Sequence, residues 1–325
     1  MPDKTVPDDT VPDNNSSDST RLAELLGVLS QLDTEAATTE RGDLDLLDTV
    51  DLVRRMNAED QRVPVAVAER AVDIARAVDG ITERFRRGGR LIYIGAGTAG
   101  RIGVLDASEC PPTFGTDPSM VVGIIAGGEP AIRSAVENAE DDADAAEASL
   151  REIGLTDRDT VVGISASGRT PYVVGGLRYA RGIGALTVAI ASNRDSDIGA
   201  AAEVPIEIVT GPEFISGSTR LKSGTAQKLV VNMLTTLSMI KLGKTYRGVM
   251  VELLATNEKL HARSIRTVTE IAGVGVGEAA EALQVAGGSV KLALLTLATG
   301  ADVDRARGAL AQADGILREA IAALS

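Results

Sequence analysis

The stretch RLIYIGAGTAGR, Arg90 to Arg101, decides the fold. Its apolar run, too short for a helix and closed by glycine, reads as a strand buried on both faces, and the glycine-rich loop after it opens a helix. Strand, loop and helix in that order begin a crossover unit of a parallel sheet. Similar β-branched runs recur as MVVGIIA at 120–126, TVVGIS at 160–165, LTVAIA at 186–191 and VPIEIV at 204–209. Helix-compatible segments at 99–108, 130–152, 171–182 and 196–202 separate them. The sequence therefore predicts an α/β fold, a doubly wound five-stranded parallel sheet flanked by helices.

The flanks read differently. Residues 1–20 are acidic and rich in Pro, Ser and Asn, the composition of a disordered tail. Over 21–88 the pattern turns helical: Leu22, Leu25, Leu26 and Leu29 recur at helical spacing, Pro64 suits a first turn, and Val65 through Ile81 is amphipathic. The sheet domain is expected over 89–250, ending in a long helix at 218–242. The remainder has no strand-like run, and its Ala- and Leu-rich stretches, broken near Gly273, Gly287 and Gly300, predict a small helical bundle over 265–325.

Composition removes several chemistries. With His261 and Cys110 the only residues of their kinds, the chain cannot assemble a multi-histidine or thiolate metal site or an internal disulfide. A metal held only by oxygen ligands remains possible. A net charge of −13 and seven aromatic residues in 325 argue against nucleic acid as a partner. The apolar stretches are broken well before the roughly 18 residues a membrane span needs, and no signal peptide is evident, so a cytoplasmic protein is expected. No Lys occurs between Lys4 and Lys222, which excludes a phosphate loop of the G-K-S/T type from the first two thirds of the chain.

Two loops remain that can hold an anion without lysine. GAGTAGR follows the first strand, and its glycines allow the backbone to approach a ligand at a helix start. Its spacing is also the dinucleotide fingerprint, but no ribose-binding acid ends the following strand, where the chain reads Thr116-Asp117-Pro118 before the strand begins. Sugar phosphate is therefore preferred to nicotinamide. The second loop, SASGRT from Ser165 to Thr170, surrounds a helix start with hydroxyls. Two such loops at strand ends point to a ligand, because open α/β sheets bind at the carboxyl ends of their strands. In DASECPPTFG, Pro111 and Pro112 are expected to end the helix and leave Glu109 in a rigid loop. Glu140 falls in an acidic run that by itself reads as a solvated helix face. Cys110 reads as a small buried residue.

Those segments, with GIIAGGE, VENAEDD, VVGISASGRTPYVVGGLRYAR and GSTRLKSGTAQKLVVNMLTT, resemble the N-acetylmuramic acid 6-phosphate etherases of the sugar isomerase (SIS) superfamily from about residue 33 onward. The resemblance implies a lyase that removes D-lactate from the sugar phosphate without a cofactor, with Glu109 as acid and Glu140 as base. It also implies a homodimer, a C-terminal domain like the ubiquitin-associated bundle, and substrate contacts at Gly97, Thr98, Ser108, Ser165, Ser167, Gly168, Thr170, Glu213, Ser218 and Thr219. Ser218 or Thr219 is expected to cap the helix that follows, and Arg220 and Lys222 read as surface cations. His261 reads as a surface or dimer-contact residue. One departure is Ala99, where the family usually has serine. A phosphosugar-sensing regulator and an aldose–ketose isomerase remain as alternatives.

Overall fold

Each of the five predicted strands forms, and side-chain alternation along them divides the core. In β1 (Leu91–Gly95), Leu91 and Tyr93 enter one apolar cluster while Ile92 and Ile94 enter the other. β2 (Val121–Ile125), β3 (Thr160–Ser165), β4 (Leu186–Ala191) and β5 (Val204–Glu207) complete a parallel sheet in the order β2-β1-β3-β4-β5. This is a computed structural model, and it describes residues 44–252 and 258–325 together with Gly27, Asp33, Thr34 and Ala36. The tail expected over 1–20 and the leucines at Leu22, Leu25, Leu26 and Leu29 lie outside the described residues.

Ahead of the sheet run α1 (Thr49–Asp60), α2 (Arg62–Ala68) and α3 (Ala71–Arg86). The amphipathic run from Val65 to Ile81 is divided at Glu69 and Arg70, which turn the chain between α2 and α3. The crossovers are α4 (Gly97–Phe114), α5 (Glu129–Arg133) with α6 (Ala143–Glu152), α7 (Pro171–Gly182) and α8 (Asp197–Ala201). α9 (Lys222–Lys241) follows the sheet. Ile74, Val78 and Ile81 of α3 and Val230 and Leu234 of α9 cover one face of the sheet, and Leu150, Tyr172, Leu177 and Ile198 cover the other.

Two helix expectations are corrected. α4 continues through Pro111 and Pro112 to Phe114. The prolines sit in its last turn, where the buried Phe114 anchors the chain and the left-handed Gly115 closes the helix by donating to the Pro111 carbonyl. Glu109 is thus a helical residue and not a loop residue. The segment 130–152 is not one helix either. α5 ends at Arg133, Asn138 takes a positive φ of 61°, and Asp142 caps α6 by accepting from the N–H groups of Asp144 and Ala145. Glu140 lies in that turn rather than on a helix face.

Beyond α9 a two-stranded hairpin, β6 (Thr245–Tyr246) and β7 (Val249–Met250), turns at Arg247 and Gly248, both with positive φ. Runs of two residues are too short for periodicity to reveal. α10 (Glu258–Ala272), α11 (Val276–Val285), α12 (Val290–Thr299), α13 (Val303–Gln312) and α14 (Leu317–Leu324) enclose a separate apolar cluster around Leu283, Ala293 and Leu295. Glu252 holds the bundle to its approach segment, because its carboxylate pairs with both Lys244 and the buried Lys291. Among the described residues no single helix is long and apolar enough to cross a membrane.

Candidate active site

The strand order reverses direction between β1 and β3, and it is at their carboxyl ends that such sheets open a crevice. Both sequence-identified loops meet there. A cleft of about 260 Å³ is lined by Gly97, Thr98 and Ala99 from the first loop, by Ser165, Ala166, Ser167 and Thr170 from the second, and by Glu140, Gly217, Thr219, Thr34 and Gln227.

At the first loop, Gly97 has a φ of 52°, and the residue before it, Ala96, offers no side-chain cap to α4. The leading N–H groups of that helix therefore face the cleft with the positive end of its dipole. The second loop works differently. Pro171 has no N–H, Tyr172 donates its own to the Glu140 carbonyl at 3.0 Å, and Val173 donates to the Thr170 carbonyl at 3.0 Å. The start of α7 is thus already satisfied, and side chains supply the free donors.

Ser165 Oγ lies 2.8 Å from Thr170 Oγ1 and 3.2 Å from Ser167 Oγ, and accepts from the Gly168 N–H at 3.0 Å. Gly168 holds a φ of 74°, and a Cβ there would come 2.4 Å from that of Ser196, so glycine is required for the loop's shape. A ring of hydroxyls bonded to one another can turn its protons toward an arriving anion without exposing a charge beforehand. Among the described residues, Glu140 is the only ionisable side chain lining this cleft. The Tyr172 bond to its carbonyl ties its turn to the first turn of α7.

Three expected contacts stand elsewhere. Glu109 is exposed on α4, eleven residues beyond Thr98, or about 16 Å along the helix axis, and does not line the cleft. Ser108 is also exposed there and donates to the Leu105 carbonyl. Glu213 is 0% exposed, and its two carboxylate oxygens accept from the backbone N–H groups of Lys222 and Ser223 at 2.9 and 3.0 Å. It caps α9, the role expected of Ser218 or Thr219, while Thr219 is freed to line the cleft. Lys222 is not a surface cation: it is buried and pairs with Glu59 at 2.8 Å, which holds the Glu59 carboxyl below its ordinary value. Gly168 shapes the loop without lining the cleft, Ser218 lies beside it, and His261 is exposed on α10.

Two lining residues escaped the sequence reading. Thr34 reaches the cleft across 159 residues of chain by accepting from Asn193, whose side chain also donates to the Ala166 carbonyl at 2.9 Å. Gln227 arrives on α9, which packs beside Thr98 and Ile102 at Gly224, one turn earlier. Behind the cleft, Asp106 is buried and accepts from Tyr93 at 2.8 Å, Asn232 at 2.6 Å and Thr235 at 3.2 Å, tying β1, α4 and α9 together. Burial raises its carboxyl above the ordinary value, against the pull of those bonds. Burial and the neighbouring Asp106 push the Cys110 thiol up to about 12, so it is no nucleophile.

The N-terminal SIS domain of glucokinase regulatory protein matches residues 73–181, and the SIS domain matches residues 136–237. The N-acetylmuramic acid 6-phosphate etherase of Brucella anthropi is 56% identical over 297 residues, covering 91% of this chain and 97% of the relative. That of Streptomyces coelicolor is 56% identical over 300 residues, covering 92% and 96%. Among solved structures, a phosphoheptose isomerase from Francisella tularensis superposes with a TM-score of 0.47 and 17% identity, over 60% of this chain and 100% of that one.

Proposed function

The chain belongs to the N-acetylmuramic acid 6-phosphate etherase family, and from that premise we propose how its cleft cleaves the D-lactyl ether of N-acetylmuramate 6-phosphate with water to give N-acetylglucosamine 6-phosphate and D-lactate. The carrying observation is the meeting of Glu140 with the hydroxyl loop in one cleft at the β1/β3 switch point. Ser165, Ser167 and Thr170 bind the phosphate, Gly168 shapes their loop, and the N–H groups around Gly97 and Thr98 receive the opened sugar. Opening exposes the C1 aldehyde, which acidifies the C2 proton. Glu140 removes that proton, the C3–O bond breaks as a proton reaches the lactate oxygen, and water then adds at C3.

The proton for the leaving oxygen comes from Glu109 of a second copy. Within one chain Glu109 lies about 16 Å along α4 from the cleft mouth, so the site is incomplete without a partner. A homodimer has a surface available: none of the residues of α1 is buried, and an apolar groove of about 650 Å³ runs between Leu52, Val53 and Met56 and the segment Phe214–Ser216, which leads directly into Gly217 and Thr219 of the cleft. Such an exposed apolar surface marks an association site. We place the reaction in the cytoplasm, since a doubly charged sugar phosphate does not cross a bilayer unaided.

Mixing inactive variants tests both parts. Glu109→Gln should stop lactate release yet still exchange the C2 proton with solvent, and Glu140→Gln should lose both. Unfolded and refolded together in equal amounts, the two should recover about one quarter of the normal activity, since half the dimers are mixed and each holds one complete site. No recovery in verified mixed dimers would place both carboxylates in the same subunit. Binding of sugar phosphate by the normal protein without any lactate would reduce it to a sensor.

A further inference from the structure

Gln227 carries an amide nitrogen that the fold buries without giving it a partner among the described residues. It is 1% exposed and lines the cleft beside Thr98, Ala99 and Thr219, and its amide nitrogen has no acceptor among the described residues. Folded proteins rarely leave a primary amide in this state, because its N–H groups lose water and gain nothing in return. The other buried amide at the cleft's edge, Asn193, spends its donors on Thr34 and the Ala166 carbonyl. Gln227 is the exception, and it lines the cleft that a phosphosugar would enter.

Resting on the etherase reading above, we infer that Gln227 donates to the carbonyl oxygen of the acetamido group at C2 of the sugar and thereby selects N-acylated substrates. The aldehyde and hydroxyl oxygens of the opened sugar are met by the N–H groups around Gly97 and Thr98. The phosphate belongs to the hydroxyl loop after β3. The lactyl carboxylate, once buried, calls for a cation, and among the described residues neither Arg nor Lys lines the cleft. A neutral amide donor matches a neutral amide carbonyl, and Ala96 and Ala99 beside it provide apolar surface for the acetyl methyl group.

The test compares two sugars, N-acetylglucosamine 6-phosphate and glucose 6-phosphate, binding by calorimetry to the full chain and to Gln227→Met, which keeps the length and removes the donor. The variant should bind the acetamido sugar about tenfold more weakly, the factor an ordinary hydrogen bond supplies, and glucose 6-phosphate unchanged. The Tm of the unliganded variant should hold or rise, because an unsatisfied group has gone. In turnover, KM should rise about tenfold while kcat holds. Equal weakening for both sugars, or none for either, overturns the inference; failure of the unmodified protein to bind either sugar overturns the phosphosugar reading beneath it.

Discussion

Glu213→Gln separates a capping carboxylate from a reacting one. The substitution is nearly isosteric, so the cavity it leaves is negligible and the loss is electrostatic. Glu213 accepts from two backbone N–H groups at 2.9 and 3.0 Å at the start of a 20-residue helix. Hydrogen bonds to a charged group contribute about 1.5–3 kcal/mol each, and the carboxylate also meets the positive end of the helix dipole. Glutamine keeps one acceptor and turns its NH₂ toward the second N–H, so one bond is lost outright, the other becomes neutral, and a buried donor is left facing a donor. About 2–4 kcal/mol should disappear. At roughly 2–3 °C per kcal/mol for a chain of this size, Tm should fall by about 5–10 °C in scanning calorimetry. Lactate release measured well below that transition should fall by no more than severalfold, because Glu213 is 0% exposed and its oxygens are engaged by backbone. An unchanged Tm with a hundredfold loss of kcat would refute this reasoning and return Glu213 to the chemistry.

Glu252→Gln should strip the buried Lys291 of its counterion and destabilise the C-terminal bundle by about 3–5 kcal/mol, seen as accelerated hydrogen exchange over α10–α14 ahead of the sheet; unchanged exchange would count against it. The acid limb of stability should depend on Asp159. Burial alone would raise its carboxyl, but Arg90 and the N–H groups of Thr156 and Arg90 outweigh burial and hold it below the ordinary value of 3.8. Its contribution is complete above about pH 4 and is lost as pH falls through the lower folded value, so Asp159→Asn should be less stable at neutral pH and show a flatter fall in Tm on acidification. A parallel fall in both proteins would contradict that. Iodoacetamide at pH 8 should leave Cys110 unlabelled in the native protein and label it after unfolding in guanidinium, since burial keeps the thiol protonated. Labelling of the folded protein within minutes would show an accessible thiolate.

The sheet was readable because buried parallel strands carry their whole signal locally, as the runs at 91–95 and 160–165 do. The two loops were readable for the same reason, and Gly97, Thr98, Ser165, Ser167, Thr170, Glu140 and Thr219 meet in the cleft. What stayed hidden depends on distant contacts. Proline chemistry alone ends a helix at Pro111, whereas burial of Phe114 carries α4 one turn further. Nothing near Lys222 announces Glu59, 163 residues earlier, and a surface reading of that lysine was the natural local one. Thr34 and Gln227 line the cleft only because Asn193 holds the one and α9 packs the other against the first loop.

The bond from Tyr172 to the Glu140 carbonyl makes the separation of two chemical events a property of the backbone. Thr170 and Tyr172 are two positions apart, so the turn bearing the proposed base is moored to the same stretch of chain that carries the hydroxyl loop. On the proposed roles, the cleft acts as a gauge of the span between the phosphorus and the acidic carbon of a sugar. An isomer phosphorylated at C1 can fill the hydroxyl loop equally well, but its C2 then falls short of the carboxylate and, with C1 esterified, no aldehyde forms to acidify it. Such a compound should occupy the cleft and block it without ever surrendering a proton.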